Sequence, residues 1–269
     1  MIGVFDSGIG GLSILKAVRK TLPNYDYMYL GDQARLPYGN KSQENVCEYT
    51  LQAVNFLRSQ GCKLILIACH TASNLALREI QNKYRKELNN YEFKLLGVTI
   101  PLVEAASQET KNNQIGLLAT RASCESSIFD DYFVSDYPDV NLHIQEGQLL
   151  VSMIEAGPRF IDETKLVAAK YLQAFKGSTI DTLILGCTHF PIMRNEIQEI
   201  MGPDVKVLDS PQVVANQLAI YLKKHPQIET QLTRNHQLKV YSTKISKYLE
   251  ELIQIFNQEK VELEKVDLY

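Results

Sequence analysis

Ten short apolar runs alternate with longer segments in which apolar residues recur at spacings of three and four, from one end of the chain to the other. The runs, at residues 2–5, 26–30, 63–68, 93–98, 114–119, 140–145, 180–186, 205–208, 237–241 and 261–267, are rich in β-branched residues or leucine. They are expected to be strands. Most of them are apolar throughout, as strands are when helices cover both faces of their sheet. The three-and-four spacing predicts helices over Leu12–Leu22, Glu44–Ser59, Ala72–Lys86, Met193–Met201 and Val213–Lys224. Strands and helices in alternation give an α/β fold with largely parallel sheets flanked by helices.

No flexible linker or low-complexity stretch divides the 269 residues. Two strand ends run straight into helical pattern, at Gly97–Pro101 and at Val205–Ser210, and crossings between lobes are placed there. One lobe is then 1–97 plus 208–269, the other 98–207. Each holds one strand–cysteine–helix unit: the run Lys63–Ala68 closes on Cys69, and the run Thr182–Gly186 closes on Cys187. Duplication of such a unit predicts two similar lobes related by a pseudo-twofold axis, with a cysteine on each wall of the cleft between them.

Charge and composition narrow the function. A net charge of -3 and a pI near 6.0, with basic residues spread among acidic ones, argue against nucleic acid as the primary partner. No apolar run approaches the roughly 20 residues that span a bilayer, and the start Met1–Phe5 has neither the charge nor the apolar length of a secretion signal. A soluble, cytoplasmic protein without a membrane partner is expected. Five cysteines, odd in number and widely spaced, do not form a disulfide framework and should all be reduced. Cys47 and Cys62, in and just after a helical stretch, are expected to pack as small hydrophobes.

Cys69 and Cys187 invite a chemical reading. Open α/β sheets bind ligands beyond the carboxyl ends of their strands, where helix N-termini offer free N–H groups and a positive dipole end to a thiolate or carboxylate. A single cysteine there is best read as a buried small side chain. Its recurrence with Thr71 and with Thr188-His189 favours two acid/base groups facing each other, able to take a proton from one face of a carbon and return one to the other. The first strand runs into Asp6-Ser7-Gly8-Ile9-Gly10-Gly11, a tight turn that lacks both the dinucleotide spacing and a following phosphate-binding lysine. It suits the carboxylate or amino group of an amino acid, or else Asp6 and Ser7 simply cap the helix beginning near Leu12. The polar loop Gly31–Asn40 reads either as turn chemistry or as a rigid wall presenting backbone N–H groups.

Five ordered motifs carry a resemblance: Phe5–Leu12, Tyr29–Asp32, Ala34–Gly39, Ala68–Ser73 and Gly186–Pro191, supported by Asp209-Ser210 and the closing 260–268 run. Together they resemble the glutamate racemases, cofactor-independent enzymes that supply D-glutamate for peptidoglycan. The resemblance implies that Cys69 and Cys187 are the two catalytic acid/base residues, with roles exchanging according to substrate handedness. Asp6 and His189 would tune the thiols, and Asp32 and Glu155 match further acidic positions. Substrate contacts implied are Asp6, Ser7, Pro37, Tyr38, Gly39, His70, Thr71, Thr188 and His189, with Thr120 and Ser123 as looser matches. Neither cofactor nor metal is implied, and a homodimer is expected.

The chain departs from that pattern in three places. His70 stands where the family usually has a substrate-binding Asn; Gln33-Ala34-Arg35 replaces Thr-Ala-Arg; and Ser152-Met153-Ile154-Glu155 replaces a Pro-Leu-Val-Glu-like run. An imidazole can still donate at one nitrogen and accept at the other. His70 also creates a rival set of zinc-binding types with Cys69, Cys187 and His189, although their spacing is not that of a structural zinc site. His143, His225 and His236 lie outside every motif and are expected at the surface. The competing functions are a racemase for aspartate or another acidic amino acid, and a binding protein whose catalysis His70 has weakened.

Overall fold

The computed structural model describes residues 1–87, 93–246, 249–251, 253 and 262–268. Within them each apolar run becomes a strand: β1 (Ile2–Asp6), β2 (Tyr27–Gly31), β3 (Leu64–Ile67), β4 (Lys94–Gly97), β5 (Gln114–Ala119), β6 (Asn141–Glu146), β7 (Thr182–Gly186), β8 (Lys206–Leu208), β9 (Leu238–Ser242) and β10 (Leu263–Lys265). The helices are α1 (Leu12–Thr21), α2 (Gln43–Ser59), α3 (His70–Leu75), α4 (Leu77–Glu87), α5 (Thr99–Glu109), α6 (Arg121–Glu125), α7 (Ile128–Asp136), α8 (Leu150–Glu155), α9 (Ile161–Leu172), α10 (Arg194–Met201), α11 (Ser210–Lys224) and α12 (Pro226–Glu229). Lys260 and Val261, at the head of the closing run, lie outside the described residues.

Two sheets result, in the orders β10-β9-β2-β1-β3-β4 and β6-β5-β7-β8, with every pair parallel. The block β2-β1-β3-β4 and the whole second sheet share one plan: in chain order each reads second, first, third, fourth. β3 and β7 are therefore equivalent strands, and the cysteine that follows each occupies the same place in its sheet. In this order the chain reverses direction across the sheet between the first and third strands, which is where open sheets open a crevice.

Burial follows the pleat. Ile2, Val4, Leu64 and Leu66 face a cluster built with α1 and α11, while Phe5, Ile65 and Ile67 face a second cluster with α2. The second sheet repeats this, Leu118, Leu183 and Leu185 on one side and Ile115, Leu117, Ala119 and Ile184 on the other. Each cluster belongs mainly to one sheet. Leu36, in the loop after β2, is partly buried and packs across onto the second sheet's cluster.

The helix expected over Ala72–Lys86 is two helices, broken at Ala76, where φ is -116°. It also starts earlier, because Cys69 takes extended geometry (φ -62°, ψ 118°) and acts as the N-cap of α3. Two of the helices between β5 and β7 are too short to be read from periodicity. With five residues in α6 and six in α8, neither completes two turns, too few for a repeat to show. No helix among the described residues is long and apolar enough to cross a membrane.

Candidate active site

The carboxyl ends of the two sheets meet. Asp6 ends β1 and Cys69 follows β3, while Thr120 follows β5 and Cys187 follows β7. Two side-chain pairs join these ends: Thr188 Oγ1 donates to Asp6 Oδ1 at 3.1 Å, and the hydroxyls of Thr71 and Thr120 lie 2.9 Å apart. The glycines allow the approach. A Cβ on Gly10 would stand 2.6 Å from Thr188 Oγ1 and 2.7 Å from His189 Nδ1, and one on Gly39 would stand 2.7 Å from Thr120 Cβ. Thr120 also receives the Ser123 amide as the N-cap of α6 and bonds the Ser123 hydroxyl.

The first wall holds Cys69, only 5% exposed, whose thiol donates to Ser7 Oγ at 3.4 Å. Burial and the nearby Asp6 carboxylate push this thiol up to about 12, against the Ser7 hydroxyl and the Ala72 amide, which favour the thiolate. Cys187 charge also raises it, so the two sulfurs sense one another. Asp6 is fully buried and accepts from the Gly8 amide at 3.0 Å. Burial raises its carboxyl above the usual range, opposed by His189 and by the Gly8 and Thr188 bonds. The N-cap of α1 is Gly11, which has no side chain to cap with, and its backbone bonds the Asp6 carboxylate, so Asp6 serves the start of that helix as well as the seam, while Ser7 faces Cys69.

The second wall is built differently. Cys187, 6% exposed, has His189 Nδ1 at 4.0 Å from its sulfur, and His189 Nε2 lies 2.7 Å from Glu155 Oε1. Burial would neutralise this imidazole, but its bonds to Cys187 and Glu155 outweigh it and hold its pKa well above the ordinary value. For Glu155, burial is likewise outweighed, by His189 and Gln33, and its pKa falls. The pair is thus imidazolium and carboxylate beside Cys187, whereas Cys69 rests as a thiol.

His70 is drawn to a partner the sequence did not suggest. Its Nε2 lies 2.6 Å from Ser210 Oγ at the start of α11, and its Nδ1 is buried without a protein partner. Burial pushes it down to about 3, so the imidazole is neutral. A base with a depressed folded pKa contributes stability that is present above its unfolded value of 6.5 and drains away as pH falls towards 3. His70→Asn is accordingly expected to lose less stability than the parent between pH 6.5 and about 3, read from urea unfolding midpoints across that range. Equal slopes for the two proteins would contradict it.

Tyr38 and Asp32 form a supporting cluster. The Tyr38 hydroxyl and Arg35 Nε both donate to Asp32 Oδ2, the latter at 2.6 Å, and Thr243 Oγ1 donates to Oδ1 at 2.9 Å. The tyrosine hydroxyl is therefore committed to Asp32, and Pro37 beside it is half-buried. Sequence reasoning missed Gln33, which donates to Glu155 Oε2 at 2.6 Å, and Ser210 as the partner of His70. The only signal for Gln33 was its departure from the family pattern. His143 and His225 are half-buried rather than on the surface, bonded to Gln114 and to the Tyr221 carbonyl, because neighbouring side chains cover them; His236 is exposed. Among the described residues no three histidine, cysteine or acidic side chains gather as a metal site.

The family model for Asp/Glu/hydantoin racemases matches residues 12–218. The chain is 36% identical to the glutamate racemase of Aquifex aeolicus over 97% of its own length and 95% of that protein's. Its structure is similar to that of a glutamate racemase isoform from Bacillus anthracis, with TM-score 0.90 and 27% identity, covering 100% of this chain and 97% of that one. It is also similar to the glutamate racemase of Francisella tularensis in complex with D-glutamate, with TM-score 0.87 and 35% identity over 99% and 97% of the two chains.

Proposed function

Since the chain belongs to the Asp/Glu/hydantoin racemase family and is an amino-acid racemase, we propose that it interconverts L-glutamate and D-glutamate by proton transfer between Cys69 and Cys187, without a cofactor. The observation that carries this reading is the placement of the two cysteines after equivalent strands of two sheets whose ends meet.

The chemistry follows from the unlike walls. The His189 imidazolium favours negative charge on the neighbouring Cys187 sulfur, which takes the α-proton from one face; the C–H electron pair stays on Cα and spreads into the substrate carboxylate. Cys69, a thiol at rest, then delivers its proton to the opposite face and is left as a thiolate. In the reverse direction Cys69 is the base, with the Ser7 hydroxyl and the Ala72 amide as the donors that support its charge. A buried seam that excludes water strengthens each of these interactions on the developing carbanion. Asp6, Ser7, Pro37, Tyr38, Gly39, His70, Thr71, Thr120, Ser123, Thr188 and His189 form the substrate cradle in this reading. Neutral His70, with Nε2 engaged by Ser210, offers Nδ1 as an acceptor for the substrate amino group.

The lobes are 1–97 plus 208–269 and 98–207, and the same reading includes a cytoplasmic homodimer whose D-glutamate enters peptidoglycan. The decisive test is α-proton exchange in deuterium oxide, followed by NMR with L-glutamate and with L-aspartate. Exchange and inversion of glutamate are expected. Exchange of aspartate alone would transfer the substrate assignment to that acid, and exchange of neither would leave a binding protein.

A further inference from the structure

Gln33 belongs to the loop after β2, in the first sheet's half of the molecule, yet its amide nitrogen lies 2.6 Å from Oε2 of Glu155, which ends α8 in the other half. The second oxygen of that carboxylate is 2.7 Å from His189 Nε2, and the far nitrogen of the ring is 4.0 Å from Cys187 Sγ. The link from Gln33 to Glu155 has one sensible polarity. A carboxylate accepts only, so the Gln33 amide must turn its N–H₂ towards Glu155; its own oxygen is buried and bonds no protein group. The geometry of the loop makes the contact conditional: Gln33 reaches Glu155 only while the two halves are together.

We propose that Gln33 is a positioning residue for the proton transfer: it reaches across the seam to fix Glu155, which fixes the His189 ring beside Cys187, so this thiol is fully primed only in the closed molecule. The inference rests on the two-cysteine reading for its consequence, though the chain of contacts does not. Glutamine does here what a threonine, the residue of the family pattern, is too short to do by the same route. The titratable groups facing the pair are Asp6 from β1, Tyr29 from β2, and the two cysteines. Tyr29 is held neutral, its pKa raised by burial and then by Asp6 and Glu155. Asp6 is the neighbour that acts on His189 from the first half, and it remains in place when Gln33 is changed.

The test uses two variants of the full chain. In Gln33→Ala, kcat for glutamate should fall about tenfold to a hundredfold, the factor carried by a hydrogen bond to a charged group. KM should change little, and the acid limb of the pH profile should move to higher pH, because Glu155 loses a donor that favours its ionised form. Gln33→Glu, which sets an acceptor against an acceptor, should be worse than Gln33→Ala at about pH 8 and recover relative to it towards about pH 6 as the two carboxyls come to share a proton. An acid limb unmoved in Gln33→Ala would overturn the proposal, even with a lower kcat, since a packing role alone would give that result. Carboxamidomethylation of Cys187, followed by peptide mass spectrometry, gives a readout independent of turnover. Slower alkylation in Gln33→Ala at neutral pH supports the relay whether or not glutamate is the substrate; an unchanged rate overturns it.

Discussion

Cys69→Ser and Cys187→Ser are each expected to lower the racemisation of glutamate by about 10²–10⁴-fold, the range that a positioned general acid or base supplies. Serine keeps the size of the side chain but is a far weaker acid, so one face of the substrate loses its proton carrier. The signature goes beyond slow turnover. With one thiol removed, the other still meets its own face of Cα, so each variant should wash the α-proton out of one enantiomer in deuterium oxide while inverting almost none of it, and the two variants should choose opposite enantiomers. Polarimetry alongside NMR exchange separates these outcomes. Near-parental racemisation by either variant would remove that cysteine from the chemistry. Cys69 and Cys187 are 5% and 6% exposed, so the loss cannot be assigned to a disturbed surface; unfolding midpoints of the variants check their folding.

The second large effect is on stability. His189→Asn should leave the Glu155 carboxylate, 11% exposed, without its counter-ion, and breaking a buried pair in this way costs about 3–5 kcal/mol. The pH dependence has a definite sign. His189 has a raised folded pKa, so its contribution is complete below the unfolded value of 6.5 and is lost as pH rises through the folded one. Glu155 has a lowered folded pKa, so its contribution is complete above 4.5 and is lost as pH falls through the folded one. The deficit of His189→Asn in urea unfolding should therefore be largest between pH 4.5 and 6.5 and shrink on both sides. Adding Glu155→Gln to His189→Asn should recover part of the loss, because the stranded charge is gone. A deficit flat with pH, or a double variant no more stable than the single one, would show that the pair is not ionised as described.

What could be read from the chain alone divides along physical lines. The strands were legible because a strand buried on both faces must be apolar at every position; β1, β2, β3 and β7 are buried throughout. The duplicated plan was visible in the matching ends of two such runs, Cys69 and Cys187. The partners of the site were harder. Glu155 and Gln33 are 122 positions apart and 140 separate His70 from Ser210, and no local periodicity encodes a contact of that range. The early start of α3 was missed because its N-cap is a cysteine, which no capping preference singles out. The unlike surroundings of the two thiols, Ser7 and Asp6 beside Cys69 and the His189–Glu155 pair beside Cys187, were not legible either, since they depend on which groups the fold places beside each sulfur.

The side-chain bonds that close the mouth, Thr188 to Asp6, Thr71 to Thr120 and Gln33 to Glu155, are all polar, and the apolar clusters keep mainly to their own sheets. Were the mouth to part, water would take over the hydroxyls, amide and carboxylates, an exchange worth about 0.5–1.5 kcal/mol for the threonine pair and about 1.5–3 kcal/mol for each bond to a carboxylate. A lining of leucines would instead resist parting by roughly 25 cal/mol for every Å² wetted. Parting the mouth to admit substrate would therefore exchange polar contacts for water and leave the hydrophobic interior of each half dry.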